Sequence, residues 1–232
     1  MKRILTILAI GGLLCDASAL AEDNITQPKN TSANRVSVFQ VPLQCPAAPE
    51  IGCGSKAKPI LAALERDSTI TEAWLNKAGT VLAVVGAENS TPESRVKAVQ
   101  SVLDKRDVTA TGLKGAARDT ALKDFESRSG WYRGGEVDQL SKQEAGIIAA
   151  RLVRRLQAKV SLSDEKAKAL EAAFTDVFKR RFTGNSDKSK QSPLDQRNDE
   201  LLKVAREHLD EKGVEALKEA VASGLRPVPN EK

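Results

Sequence analysis

From Arg35 the chain reads RVSVFQVPLQC, and the alternation through Val36 and Val38 predicts a strand whose end Pro42 confines to an edge or a bulge. The next run, SKAKPILAALERD, changes period. Ile60, Leu61 and Leu64 fall at helical spacing, with Ser55 as the expected cap and Pro59 expected in the first turn. In STITEAWLNKAGTVLAVVGAENS, two β-favouring runs flank Asn76-Lys77-Ala78-Gly79, which predicts a hairpin of Ile70 to Leu75 and Thr80 to Val85. A second helix opens at Pro92, with Val96, Val99 and Leu103 along one face, and Val108 to Leu113 can form a last short strand.

Strand, helix, strand, strand, helix, strand is the split βαβ, ferredoxin-like order, which places two helices on one face of a four-stranded antiparallel sheet. The expected fold class is α+β: a ferredoxin-like domain over 35–113, a charged glycine-bearing connector over 114–140, and an all-α module over 141–226. The connector has room for a short helix around Ala116 to Phe125. In the module, LSKQEAGIIAARLVRRLQAKV carries a capping-box pattern from Ser141 to Glu144, then Ile148, Leu152 and Leu156 on one face. SLSDEKAKALEAAFTDVFKRRFTG starts at Ser163 with Asp164 and Glu165 at the positive end of the helix dipole. The short turn between these two helices predicts an antiparallel pair. A polar loop and a last helical pair divided at Gly213 complete the module.

Ahead of these elements, Lys2 and Arg3 precede an apolar run from Ile4 to Leu14, and small residues follow at Ala17, Ala19 and Ala21. This layout predicts a signal peptide over 1–21, cleaved after Ala21, and the apolar run is too short to span a bilayer. Cys15 as a lipid anchor is the other reading, although Leu14 stands where such cysteines usually follow a small residue. Residues 22–34 are polar and aperiodic and read as a disordered mature N-terminus. The protein is therefore expected to be periplasmic or secreted, with no membrane span. The formal charge of +5 falls to about +4 when Lys2, Arg3 and Asp16 leave with the leader, and acids are interleaved among the bases. That is a solvated surface rather than a nucleic-acid footprint. Only 3% of residues are aromatic, so the cores must be built from Ala, Val, Leu and Ile.

Two cysteines remain in the mature chain, Cys45 and Cys53, in CPAAPEIGCGSKAKP between the first strand and the first helix. Helix N-terminal amides favour thiolates, so such a loop suits a soft cation. Two cysteines eight positions apart in an oxidising compartment equally suit a structural disulfide, and a catalytic redox pair is the third reading. Residues Arg35 to Leu113 resemble the heavy-metal-associated, copper-chaperone-like domain in element order and cysteine placement. That resemblance implies metal binding by Cys45 and Cys53, with Cu(I) or another soft ion as ligand. The family's motif is C-x-x-C, whereas here seven residues separate the two cysteines.

Trp131 and Tyr132 stand together in the glycine-rich connector. They are expected to dock it on a domain, with partner binding as the functional alternative. Phe174, Val177, Phe178 and Phe182 have helical spacing and read as core. The only histidine, His208, reads as a surface residue. The segment VSLSDEKAKALEAAFTDVFKRRF is similar to helices of Spy-type periplasmic chaperones and related heavy-metal-resistance sensors. No G-x-S-x-G, H-E-x-x-H, P-loop or dinucleotide pattern occurs, so hydrolase, NTPase and dehydrogenase readings have no support. The expectation is a non-enzymatic binding protein that holds or senses a soft ion at Cys45 and Cys53 and meets a protein partner, or a second copy, through its helical module. The rival is an envelope or chaperone-like protein with a permanent Cys45–Cys53 disulfide.

Overall fold

The computed structural model describes residues 34–184 and 193–228. The expected signal peptide, all but the last residue of the expected disordered N-terminus, and nearly all of the polar loop after Gly184 lie outside them. The chain enters strand β1 (Val36–Gln40), turns through a separate small hairpin of β2 (Gln44–Cys45) and β3 (Ala48–Gly52), and passes into helix α1 (Gly54–Leu64). Strands β4 (Ile70–Asn76) and β5 (Val81–Gly86) follow, then α2 (Pro92–Asp104), β6 (Thr111–Gly112), α3 (Gly115–Glu126) and β7 (Trp131–Arg133). The rest is helical: α4 (Asp138–Gln157), α5 (Asp164–Phe182), α6 (Pro193–Ala205) and α7 (Glu211–Ala222).

The main sheet has the order β6-β1-β5-β4-β7 with every pairing antiparallel. Its first four strands follow the ferredoxin-like order, and β7 is an added fifth strand. Alternation on the strands sorts their side chains to two faces. Phe39, Leu75, Leu82 and Val84 meet Ile60, Leu61 and Leu64 of α1 and Val99 and Leu103 of α2. Val36, Val38 and Ala83 face the other way, and there α3 covers them with Ala121 and Phe125.

The segment expected to be a connector is thus part of the sheet domain. Trp131 is 7% exposed, and its ring meets Phe125 edge-on at a centroid separation of 4.9 Å. Half-buried Tyr132 packs against the core on the opposite face. These aromatics fasten α3 and β7 to the sheet, where Arg128 stacks on the Phe125 ring with its guanidinium carbon 3.4 Å from the centroid. Val137 and Leu140 at the start of α4 complete the sheet domain's core.

Local differences from the sequence reading have physical reasons. Helix α1 begins two residues earlier than a Ser55 cap requires, with Cys53 in the cap position, so Pro59 lies inside the helix rather than in its first turn. On α2, Val96 faces solvent and Arg95 is buried, because its guanidinium donates to Ser37 Oγ (2.9 Å), the Ser90 carbonyl (3.1 Å) and the Asn34 carbonyl (3.0 Å). Thr91 and Ser94 cap that helix reciprocally. Gly213 does not divide the last helices. It lies in the first turn of α7 and donates its amide to the capping carboxylate of Asp210 at 2.8 Å. In the helical module, Ile148, Leu152 and Leu156 of α4 pack with Leu170, Phe174, Val177 and Phe178 of α5, and Leu201 and Leu217 close the same core.

Because Trp131 closes the α3 side of the sheet, Trp131→Ala is expected to destabilise the protein by about 3 kcal/mol or more. Urea unfolding followed by circular dichroism measures this. An unchanged midpoint would show that the ring is not structural.

Candidate metal and thiol site

The β2–β3 hairpin is held at its base by the main sheet. Leu43 donates its amide to the Gly79 carbonyl (2.9 Å), Gly52 to the Lys77 carbonyl (2.7 Å) and Cys53 to the Leu43 carbonyl (2.7 Å). The approach is close enough to require glycine on both sides. Gly79 adopts φ +73°, and a Cβ there would lie 2.5 Å from the Gly52 Cα. Within the hairpin, Cys45 pairs with Ala48 across a turn at Pro46 and Ala47. Cys45 and Cys53 thereby come together at the mouth of α1, packed with Ala48 and Ile51.

The other wall is α4. Ile147 packs against the cysteine cluster, and Arg151 donates to the carbonyls of Ala47 and, at 3.0 Å, Leu225. The N-terminus of α1 abuts the same helix, so that a Cβ on Gly54 would come within 2.3 Å of Ser141 Oγ and 2.6 Å of the Val137 carbonyl. Lys58 of α1 pairs with Asp138 of α4 at 2.6 Å. Ser141 and Glu144, which the sequence pattern marks as a capping box, are both buried inside α4, whose N-cap is Val137.

Glu144 reaches the cysteines. The Cys45 thiol donates to Glu144 Oε1 at 3.0 Å, the Ala47 amide donates to Cys45 Sγ at 3.3 Å, and Cys53 Sγ lies 3.4 Å from Ser55 Oγ. One ligand atom from each of Cys45, Cys53 and Glu144 lies within 4.8 Å of the others, and all three residues are buried. Two polar atoms here have no hydrogen-bond partner, Glu144 Oε2 and Ser141 Oγ. Buried orphans of this kind are rare in folded proteins. Both cysteines are free thiols in this structure.

The environment drives the two thiols apart in acidity. The neighbouring Cys45 side chain lowers the Cys53 pKa, and Ser55 and the backbone amide and charge of Lys56 lower it further against the opposing effect of burial. The same pairing with Cys53 raises Cys45, reinforced by burial and by Glu144. Burial pushes Glu144 itself up to about 7, with the Cys45 thiol acting in the opposite direction. One pocket therefore holds a cysteine whose pKa is lowered, a cysteine whose pKa is raised and a carboxyl raised to about 7.

Of the residues that the sequence singles out, the structure brings together Cys45 and Cys53 and leaves Trp131, Tyr132 and His208 elsewhere. His208 is half-buried in the turn after α6. Glu144 is the residue that sequence reasoning misses. The available signal was its place four residues before Ile148, in register with Leu152 and Leu156, which puts a carboxylate on the apolar stripe of α4. Comparison with family models, with curated proteins and with solved structures finds no match.

A carboxyl whose pKa is raised by folding stabilises the fold below its unfolded value and loses that contribution as pH rises through the folded one. For Glu144 the window runs from 4.5 to about 7. Glu144→Gln in the reduced protein is expected to match the wild type near pH 4 and to exceed it by about 3 kcal/mol near pH 8. Urea titrations at the two pH values test this, and a difference that does not vary with pH would contradict the buried placement of the carboxyl.

Proposed function

We propose that this protein is a non-enzymatic binding protein of the cell envelope or exterior that holds a soft metal ion through Cys45 and Cys53, with Glu144 as the third, oxygen-bearing group. The observation that carries this reading is the convergence of three buried ligand atoms within 4.8 Å, delivered by a hairpin, a helix start and a separate helix. An ion bonded to two sulfurs at about 2.3 Å each spans at most about 4.6 Å between them, which this spacing accommodates. Glu144 Oε2, buried without a partner, supplies a lone pair facing no donor.

Two sulfur ligands favour a soft ion such as Cu(I), and the positive charge of Lys56 acts on Cys53. The resemblance to heavy-metal-associated domains in element order and cysteine placement supports the same reading, with seven residues between Cys45 and Cys53 where that family's motif has two. Because Glu144 belongs to α4, an ion bound here would also draw on the helical module, which is the proposed partner-binding surface. The leader-like N-terminus supports the location.

Competition of the reduced mature protein against a chromogenic Cu(I) chelator tests the proposal. One equivalent should bind, Cys45→Ser and Cys53→Ser should each weaken binding by about 100-fold or more, and Glu144→Leu should weaken it by about tenfold. Equal competition by the wild type and both cysteine variants would overturn it.

A further inference from the structure

The same three residues have a second capacity that does not depend on any metal. We propose that Cys45 and Cys53 undergo reversible thiol–disulfide exchange with a disulfide substrate, Cys53 attacking first, Cys45 resolving, and Glu144 receiving the Cys45 proton.

The roles follow from position. Cys53 caps α1, a helix with no acidic residue in its first turn, and is the less deeply buried of the two cysteines, at 5% exposed against 2% for Cys45, with exposed Ser55 and Lys56 beginning two positions on. Cys45 lies against α4 with its S–H already directed at Glu144 Oε1, 3.0 Å away. In the first step the Cys53 sulfur attacks one sulfur of R–S–S–R, forming a Cys53–S–S–R bond and expelling R–S⁻. In the second, the Cys45 proton passes to Glu144 Oε1 while the Cys45 sulfur attacks Cys53 Sγ, closing the Cys45–Cys53 bond and expelling the second R–S⁻. Two electrons pass to the substrate. The two protons, one lost to solvent when Cys53 ionises and one passing by way of Glu144, complete two R–SH molecules. Run backwards, the reaction oxidises a dithiol.

Glu144 also distinguishes this chemistry from a permanent staple. The Cys45 S–H is the donor to Oε1, and Oε2 has no partner. Closing the disulfide removes that S–H and leaves a buried carboxyl without the donor it has in the dithiol form, which destabilises the oxidised state relative to the reduced one. A structural disulfide gains nothing from such a neighbour, whereas an exchanging one is kept reducible by it.

The test uses reduced mature protein and oxidised glutathione, with acid trapping and intact mass. Wild type should pass to an internal disulfide without accumulating adduct. Cys45→Ser should accumulate the glutathione adduct on Cys53, and Cys53→Ser should react at least about tenfold more slowly. At equilibrium in a glutathione buffer, Glu144→Leu should shift the protein about tenfold toward the disulfide, while Glu144→Gln, which keeps an acceptor, should stay within a few-fold of wild type. Equal adduct formation on both cysteine variants, a wild type that stops at the adduct, or no shift with Glu144→Leu would overturn the proposal. Circular dichroism of each variant confirms folding. Failure of Cu(I) competition, read on reduced protein without glutathione, would leave these outcomes untouched, so the two readings fail separately.

Discussion

A hydrogen bond between the thiol of Cys45 and the carboxyl of Glu144 joins the β2–β3 hairpin to α4. Desolvating a carboxyl is costly, and this one is placed among Cys45, Cys53 and Ile147 with a single thiol to receive from. The arrangement holds because the backbone around it leaves little freedom. Gly52 and Gly79 press the hairpin against the β4–β5 turn, and Gly54 lets the mouth of α1 reach Ser141 on α4. Each contact removes space that a side chain would occupy, so the pocket is shaped mainly by backbone approach.

The rest of the architecture positions that pocket. In the chain α1 follows β1, and the hairpin inserted between them carries Cys45 back to the helix start occupied by Cys53. Helix α3 and strand β7, fastened by Phe125 and Trp131, close the far face of the sheet. On the helix-covered face, Val137 and Leu140 lead the chain out of the core into α4, the helix that bears Glu144 and also the stripe on which α5 and α7 pack, with α6 set against those two. A change at the cysteines therefore meets, through one side chain, the helix around which the C-terminal module is built.

Much of this was legible in the sequence where local preference and tertiary demand agree. Alternation at Val36 and Val38, the turn at Gly79 and the helix opening at Pro92 all report their elements directly. The reading differs from the structure where packing overrides a local pattern. Ser141 and Glu144 have capping-box spacing, yet α4 starts earlier because Val137 and Leu140 are needed in the sheet core. Pro59 looks like a first-turn residue, but the backbone of Cys53 is fixed by Leu43 and forces an earlier start. Trp131 in a glycine-rich segment reads as a connector because a three-residue edge strand has too little pattern to declare itself. Both cysteines were legible as a pair; their carboxylate partner, 91 positions beyond Cys53, was not, since sequence separation hides a contact that only the docking of α1 on α4 creates.

The most direct measurement is X-ray absorption at the copper edge on reduced mature protein loaded with one equivalent of Cu(I). The account predicts two sulfur neighbours in the wild type, one in Cys45→Ser, and loss of any oxygen neighbour in Glu144→Leu. A coordination shell that is unchanged when Cys45 is replaced would contradict it.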